Sequence, residues 1–458
     1  MAPTTFFELP PMDHVVAKVY TSYILHFDTK DTGASLKIIQ NGVDRLTSHV
    51  PFLSGDVILS KAPETPVNRA RVVPSRLTPE QVRMLHIKHH QHDQVTGRGL
   101  FPLPMFIPPS QEAPLLRFQA NVFKDRITLV MSFHHHAFDG TGAERILEAL
   151  AECCRAPDDH TELSLPSTIA ANEARLRNEI SEWPSKCVTR KDHSNEFGPA
   201  LYDVNITSEQ WAQIEATMAA AVTTKKFAFC SEKIRQVKGL CQKILGTSTI
   251  ISSNDLVTAM LALCIDRAQN PNRDKAGRQE DDASVLMIVN MRPRVHPPIP
   301  STYLGNLILP VRTAIYPSNP HPIECAGDQA DQNVVTLAQL ATEIRTKLQS
   351  MNETDAYSMS AKIAEQDNWN DLGGKNASAI FTSWRHLGVF EVDFGGQLGP
   401  IKDFETEPGL MPGGCIMLPA PPNLEDKTPA TWNVDITMKP EDFERFEKDE
   451  LLARIRKN

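Results

Sequence analysis

The chain has 458 residues, 41% hydrophobic and 22% charged, a globular composition too long for one ordinary domain of about 100–200 residues. Its 47 Lys and Arg against 56 Asp and Glu leave a net charge of −9, which excludes nucleic acid as the main partner, since phosphate binding needs a basic face. No apolar run reaches the roughly 18 residues of a membrane span and Met1 to Tyr20 lack a signal-peptide pattern, so a soluble, cytoplasmic protein of two units is expected.

In chain order, residues 20–27 are rich in β-formers, and Leu36, Ile39, Val43 and Leu46 share one helical face. Proline-rich loops follow at Pro63, Pro66, Pro74 and Pro79, then at Pro102, Pro104, Pro108, Pro109 and Pro114. Residues 117–122 and 126–133 read as neighbouring strands around a Lys124-Asp125 turn; in the second, Ile127, Leu129, Met131 and Phe133 alternate with Thr128, Val130 and Ser132. Thr141 and Glu144 form a T-x-x-E capping box for a helix whose buried face is Ala143, Ile146, Leu147 and Leu150. A helix over 172–183 precedes a polar stretch, 184–203, with Pro184 and Pro199, which is the expected domain boundary.

In the second half, Ser253-Asn254-Asp255 caps an apolar helix through Leu256, Met260, Leu263 and Ala268. A charged loop over 270–282 leads to a strand over 285–291, and a long helix covers 334–349. Strands are expected at 379–384, 389–394, 415–418 and 432–438, with a closing helix over 441–456. Strands and helices alternate in both halves, which predicts an α/β (α+β) fold in two units. Cys153, Cys154, Cys187, Cys230, Cys241, Cys264, Cys325 and Cys415 contain no C-x-x-C pair and read as reduced thiols.

The 126–133 strand runs into His134-His135-His136-Ala137-Phe138-Asp139-Gly140, and three readings of that turn compete. It can be a polar turn in which Asp139 and Thr141 cap the helix and Gly140 frees the backbone. It can be a metal site, although adjacent histidines on an extended chain face opposite ways and no H-E-x-x-H accompanies them. It can also carry a base, His135, with Asp139 four residues on, because an imidazole pKa of about 6.5 suits proton removal near neutral pH. A second cluster, His86-Ile87-Lys88-His89-His90-Gln91-His92-Asp93, has no hydrophobic strand to fix ligands and reads as a solvated loop or helix end. The late Asp393-Phe394-Gly395 triplet suggests a kinase, but the glycine-rich loop, the V-A-I-K lysine and H-R-D are missing.

The histidine motif H-H-x-x-x-D-G and the late D-F-G stand in order with Pro11-Met12-Asp13, Val289-Asn290-Met291-Arg292-Pro293-Arg294, Pro297 to Asn306 and Thr382-Ser383-Trp384-Arg385. With these segments the chain resembles the BAHD acyltransferases over most of its length. Gly396 and Gln397 stand where the plant pattern has tryptophan and glycine. That loosening is similar to the fungal secondary-metabolite branch, with its trichothecene and ergot-alkaloid acetyltransferases.

The resemblance implies two chloramphenicol-acetyltransferase-like domains with a tunnel at their interface. Residues 1–190 would carry the histidine motif, and 200–458 the D-F-G motif and most coenzyme A contacts, with a segment near 390–412 crossing to the first domain. It implies transfer of an acyl group, acetyl above all, from acyl-CoA to the hydroxyl or amine of a small molecule. No permanently bound cofactor, metal, nucleic acid or membrane is expected, and the protein would be a monomer. His135 is the implied base, with Gly140 in the same motif, and no G-x-S-x-G elbow suggests an acyl-enzyme. Spacing alone would let Asp139 form a dyad with His135; the resemblance implies instead that Asp139 turns away to pair with an arginine, for which Arg292 is the candidate. Asp393 and Gly395 are implied to be structural, and Arg385 is the nearest arginine in sequence to Asp393. Thr382, Ser383 and Trp384 are expected to line the reaction chamber. Ser252 and Ser253 at a helix N-terminus, with Lys233 and Lys238, are the expected coenzyme A contacts. Two further readings are a CoA-independent condensation or transesterification and a non-catalytic binding protein.

Overall fold

The computed structural model describes residues 5–457 apart from 78, 92–97, 108–111, 159, 193–196, 200–206, 247–248, 273–282, 318–330, 371 and 421–430. Part of the expected boundary stretch, most of the 270–282 loop, His92, Asp93, Pro108, Pro109 and Cys325 lie outside the described residues.

Two sheets organise the chain. Their strands are β1 (Tyr20–Asp28), β2 (Leu85–His89), β3 (Leu116–Val122), β4 (Arg126–His134), β5 (Thr223–Phe229) and β6 (Ser284–Asn290). They continue with β7 (Ile308–Ala314), β8 (Ala379–Ser383), β9 (Asp403–Thr406), β10 (Gly414–Met417) and β11 (Trp432–Met438). The first sheet runs β9-β1-β4-β3-β2 and the second β5-β11-β10-β8-β6-β7. The helices that matter here are α1 (Thr32–His49), α2 (Gly140–Arg155), α3 (Ser164–Ser181), α4 (Ser231–Leu245), α5 (Ser253–Gln269) and α6 (Gln332–Ser350).

The hydrophobic periodicity explains the packing. Ile39, Val43 and Leu46 of α1 and Ala143, Ile146, Leu147 and Leu150 of α2 join Leu25, Phe27, Leu129 and Met131 in one buried core. A second core surrounds α5, which is apolar on all sides and central, with α4, α6 and the second sheet packed around it.

Each core borrows from the other half of the chain. Strand β9 pairs antiparallel with β1, Asp403 opposite His26 and Thr406 opposite Tyr23. Val389, Val392, Phe394, Leu398, Ile401 and Phe404 are all buried in the first core. Met12, Leu176, Ile180 and Trp183, from the first half, are buried in the second.

Several elements differ from expectation. Residues 389–394 are not a strand: Val389–Glu391 form a 3-10 turn, and Phe394 turns inward to meet Phe27 edge-on at 4.9 Å. The closing helix is two short ones, Pro440–Phe446 and Glu450–Ala453, because the Asp449 side chain accepts the Leu451 amide at 2.8 Å and starts a new cap. The 172–183 helix begins earlier, at Ser164, since Pro166 is tolerated in a first turn. The His86 cluster is no loop; Leu85–His89 is an edge strand paired parallel with β3, and its solvent-facing His and Lys residues hide the strand signal. Among the described residues no helix is long and apolar enough to cross a membrane.

Candidate active site

Strand β4 delivers the histidine motif to the edge of a cavity. Its last residue, His134, is followed by a tight turn in which the Ala137 and Phe138 amides donate to the His134 carbonyl at 2.9 and 3.2 Å. The His135 amide donates to Val19 O at 2.8 Å, which pins the turn to the chain entering β1. Helix α2 then starts at Gly140. Its cap is Asp139, whose Oδ1 accepts the Gly142 amide at 2.9 Å, not the Thr141–Glu144 box expected. Gly142 is obligatory, because a Cβ there would lie 1.9 Å from Leu304 O.

His135 Nδ1 lies 3.1 Å from the Phe138 carbonyl. A carbonyl only accepts, so Nδ1 carries the proton and Nε2 keeps its lone pair. Burial pulls the His135 pKa below the ordinary value, while the Asp139 charge and the Phe138 carbonyl pull it back up. The ring is therefore neutral, in one tautomer and basic at Nε2, near neutral pH. His134 and His136 are more deeply buried, and desolvation drives both far below the ordinary imidazole value. Only His135 of the three lines the cavity.

Asp139 has no capacity left for His135. Its Oδ2 accepts from Arg292 Nη1 at 2.7 Å and from the Leu307 amide at 3.1 Å, and Arg292 Nη2 reaches its Oδ1 at 3.0 Å. The same guanidinium donates to the carbonyls of Tyr303 and Gly305 at 3.0 and 2.7 Å. A His135–Asp139 dyad is absent from this geometry, and Asp139 instead ties the motif to the second half of the chain.

A second buried knot supports the turn from behind, and neither spacing nor composition pointed to it. Asn306 Nδ2 donates to the carbonyls of His135 and His136 at 2.7 and 2.9 Å. Its amide donates to Asp13 Oδ1 at 2.7 Å. Asp13 pairs with Arg177 at 2.5 Å, and Arg177 also engages Glu173 at 2.8 Å and the Ala137 carbonyl at 2.7 Å. Burial raises the Asp13 pKa to about 7 against the pull of Arg177 and Asn306. The only sequence signal for Asp13 and Asn306 was that both stand in segments carrying the family resemblance; Glu173 and Arg177 gave none.

The cavity has a volume of about 570 Å³ and lies between the two sheets. Thr21 and Phe133 line it from the first sheet, with His135 and Gly140 from the turn and helix start that follow β4; Asn290, Ile380, Thr382, Ile416, Asp435 and Thr437 line it from the second. Thr382, Ser383 and Trp384 all line it, as expected. Trp384 packs on Tyr23 at 5.2 Å, and the Tyr23 hydroxyl donates to Gly140 O at 2.9 Å. A Cβ on Gly140 would come within 2.8 Å of Trp384 Nε1, so glycine lets the turn and the indole close together.

The other expected residues are spread more widely. Ser252 caps α5 with Asp255 in a reciprocal capping box, and Asp255 also pairs with Arg345 at 2.5 Å, so a carboxylate already occupies that helix end. Ser253 opens the helix, and its neighbour Asn254 meets Ser383 at 3.4 Å, which joins this end of α5 to the cavity. Lys233 donates to Arg456 O at 2.9 Å, and neither it nor Lys238 lines the cavity. Asp393 is exposed, and its carboxylate accepts the Gly395 amide at 2.8 Å. Arg385 is not its partner; that guanidinium stacks 4.1 Å over Trp432, and it is Arg155 that donates to the Asp393 carbonyl. Gly395 has φ +67° and packs on Arg155, so glycine is required there. Among the described residues no group of three His, Cys, Asp or Glu is placed to hold a metal.

Known proteins are similar to this chain over nearly all of its length. The chain matches the Transferase family over residues 3–452. It is 31% identical to the Fumigaclavine B O-acetyltransferase of Penicillium roqueforti over 97% of this chain and 96% of that protein. It is 30% identical to the Communesin N16 acyltransferase of Penicillium expansum, again over 97% and 96%. Its fold is similar to that of F. sporotrichioides TRI101 complexed with coenzyme A and T-2, with a TM-score of 0.72 over 98% of this chain and 99% of that one at 18% identity. A match of this extent, on a chain whose histidine turn and second sheet enclose one chamber, shows that the protein belongs to the Transferase family, the BAHD acyltransferases.

Proposed function

We propose that the protein is an acyl-CoA-dependent O-acyltransferase that moves an acetyl group onto a hydroxyl of a fungal secondary metabolite. The observation that carries this reading is the His135 ring, held by Phe138 so that a basic Nε2 serves the chamber while Asp139 is fully engaged elsewhere. Nε2 takes the hydroxyl proton as the acceptor oxygen attacks the thioester carbonyl. The tetrahedral oxyanion collapses, the carbon–sulfur bond breaks, and coenzyme A leaves as a thiolate that regains the proton from the imidazolium. A positioned base of this kind supplies about 10²–10⁴-fold. The Thr382 hydroxyl, at the chamber wall, is suited to donate to the oxyanion. Coenzyme A would enter along the α5 end, where Asn254 meets Ser383. The names of the relatives support the acetyl group and the metabolite class.

Both walls of the chamber come from one chain, which supports a monomer as the working unit. The Communesin N16 acyltransferase, by its name, acylates a nitrogen, so an amine acceptor is the second reading. The test is to mix the protein with acetyl-CoA and a panel of polycyclic alcohols and amines and to follow coenzyme A release. Release that depends on the alcohol, with a base-labile product, supports O-acylation; a base-stable product identifies an amide. No release with any acceptor contradicts the proposal.

A further inference from the structure

The chamber's charges do not balance. Among the described residues its lining includes three carboxylates, Asp139, Glu144 and Asp435, and no lysine or arginine. Asp139 is neutralised by Arg292, and Glu144 by Arg145 at 3.0 Å while it also accepts the Gly388 amide. Asp435 has no such partner.

Asp435 stands on β11 two residues before the chamber residue Thr437 and directly opposite the chamber residue Ile416. It is 8% exposed, and its Oδ2 accepts one hydrogen bond, from Thr406 Oγ1 at 3.2 Å. Among the described residues it forms no ion pair. Lys226 is directly opposite it across the β5–β11 ladder, yet the Lys226 ammonium lies 3.4 Å from Glu405 and is not part of the lining. Burial drives the Asp435 pKa up and the charges of Glu405 and Asp403 add to it, while the Lys226 charge and the Thr406 hydrogen bond pull it back down without cancelling the rise. A carboxylate on a residue this enclosed is costly unless paired or hydrogen-bonded. One hydroxyl satisfies it only in part.

We propose that Asp435 determines acceptor specificity, by pairing with a protonated amine on the acceptor alcohol; the natural acceptor is thus a cationic, amine-bearing alcohol. This rests on the acyl-transfer reading and narrows it. The ammonium would supply the missing charge at the β11 wall, and the hydroxyl would be turned toward His135 at the opposite one. A neutral acceptor of the same shape would leave the carboxylate buried and unpaired, which is how a polar site rejects an analogue.

The test uses a matched pair of bicyclic probes, 3-quinuclidinol, protonated at neutral pH, and bicyclo[2.2.2]octan-2-ol, its neutral isostere. Calorimetry on the full chain, without acyl-CoA, should show the cation binding at least about tenfold more tightly, the lower range for a close charge pair. Asp435→Asn should reduce that gap to less than about threefold by weakening the cation, and Asp435→Glu should restore part of it. Ile416, directly opposite Asp435 across the β10–β11 ladder, offers a second variant if the Asn protein folds poorly. Ile416→Lys supplies an internal ammonium and should likewise abolish the preference. Equal binding of both probes by the parent, or a gap unchanged in Asp435→Asn or Ile416→Lys, would overturn the proposal. Failure of the transfer reading shows elsewhere, as no release of coenzyme A from acetyl-CoA with either probe or with the alcohol and amine panel, whatever the binding preference.

Discussion

His135 and Asp139 are four residues apart and do different work. The Phe138 carbonyl fixes the His135 tautomer, and burial holds its pKa below the ordinary imidazole value. The neutral, proton-accepting form is then dominant above that lowered value and is lost as pH falls through it. The acid limb of kcat/KM should have its midpoint below about 6.5, the unperturbed value; a limb at or above that pH would contradict the burial argument. Asp139 should act on stability. Replacing its partner, Arg292→Met, leaves a buried carboxylate unpaired and should cost about 3–5 kcal/mol in denaturant unfolding. A variant that unfolds like the parent would show the pair to be dispensable. The place of His135 on the chamber wall and the pairing of Asp139 with Arg292 are legible from the motif and its resemblance. Asp435, Glu173 and Arg177 are not, because their meaning lies in what they face across the fold. Asp435 reads in sequence as one polar residue in an alternating strand, and only the sheet packing shows that it is enclosed.

The element that sets the site is the joint between β4 and α2. Strand alternation predicts β4 and the apolar spacing predicts α2, while the sequence offers two caps, the Thr141–Glu144 box and the Asp139 side chain, and it is Asp139 that forms. Thr141 and Glu144 fit the capping pattern, whereas Asp139 is already placed by Arg292 and takes the amide first. Tertiary contact chose between two local solutions. The same joint makes Gly142 sensitive. Gly142→Ala would drive a methyl into the Leu304 carbonyl and should cost about 1–3 kcal/mol by overpacking, with kcat falling because the turn carrying His135 moves. Parent-like melting and turnover would mean that the 303–307 segment yields freely. The 389–394 stretch misled in the opposite sense. Its apolar residues resemble a strand, yet Val389, Val392 and Phe394 reach the first core from a turn.

At the scale of the molecule, two cores exchange segments, and the chamber exists only where they meet. The alternation of strands and helices makes the α/β character legible, while the resemblance implies only the crossing near 390–412 and not the reverse burial of Met12, Leu176, Ile180 and Trp183, since no local pattern tells a segment which core it will join. Anchoring of the crossing segment should follow burial. Phe394→Ala removes a fully buried ring and should cost about 3–5 kcal/mol; Asp393→Ala removes one exposed hydrogen bond to Gly395 and should cost about 0.5–1.5 kcal/mol. The reverse order in urea unfolding would refute this account of the crossing. The central claim, direct transfer with His135 as the base, is tested most directly by single-turnover transfer of labelled acetyl from acetyl-CoA to an accepted alcohol, in the parent and in His135→Ala, with coenzyme A affinity measured on the same preparations. The account predicts a rate at least about 10²-fold lower at nearly unchanged coenzyme A affinity, and milder losses in His134→Ala and His136→Ala. Equal losses at all three histidines, or a His135→Ala protein that transfers acetyl at the parent rate, would contradict it.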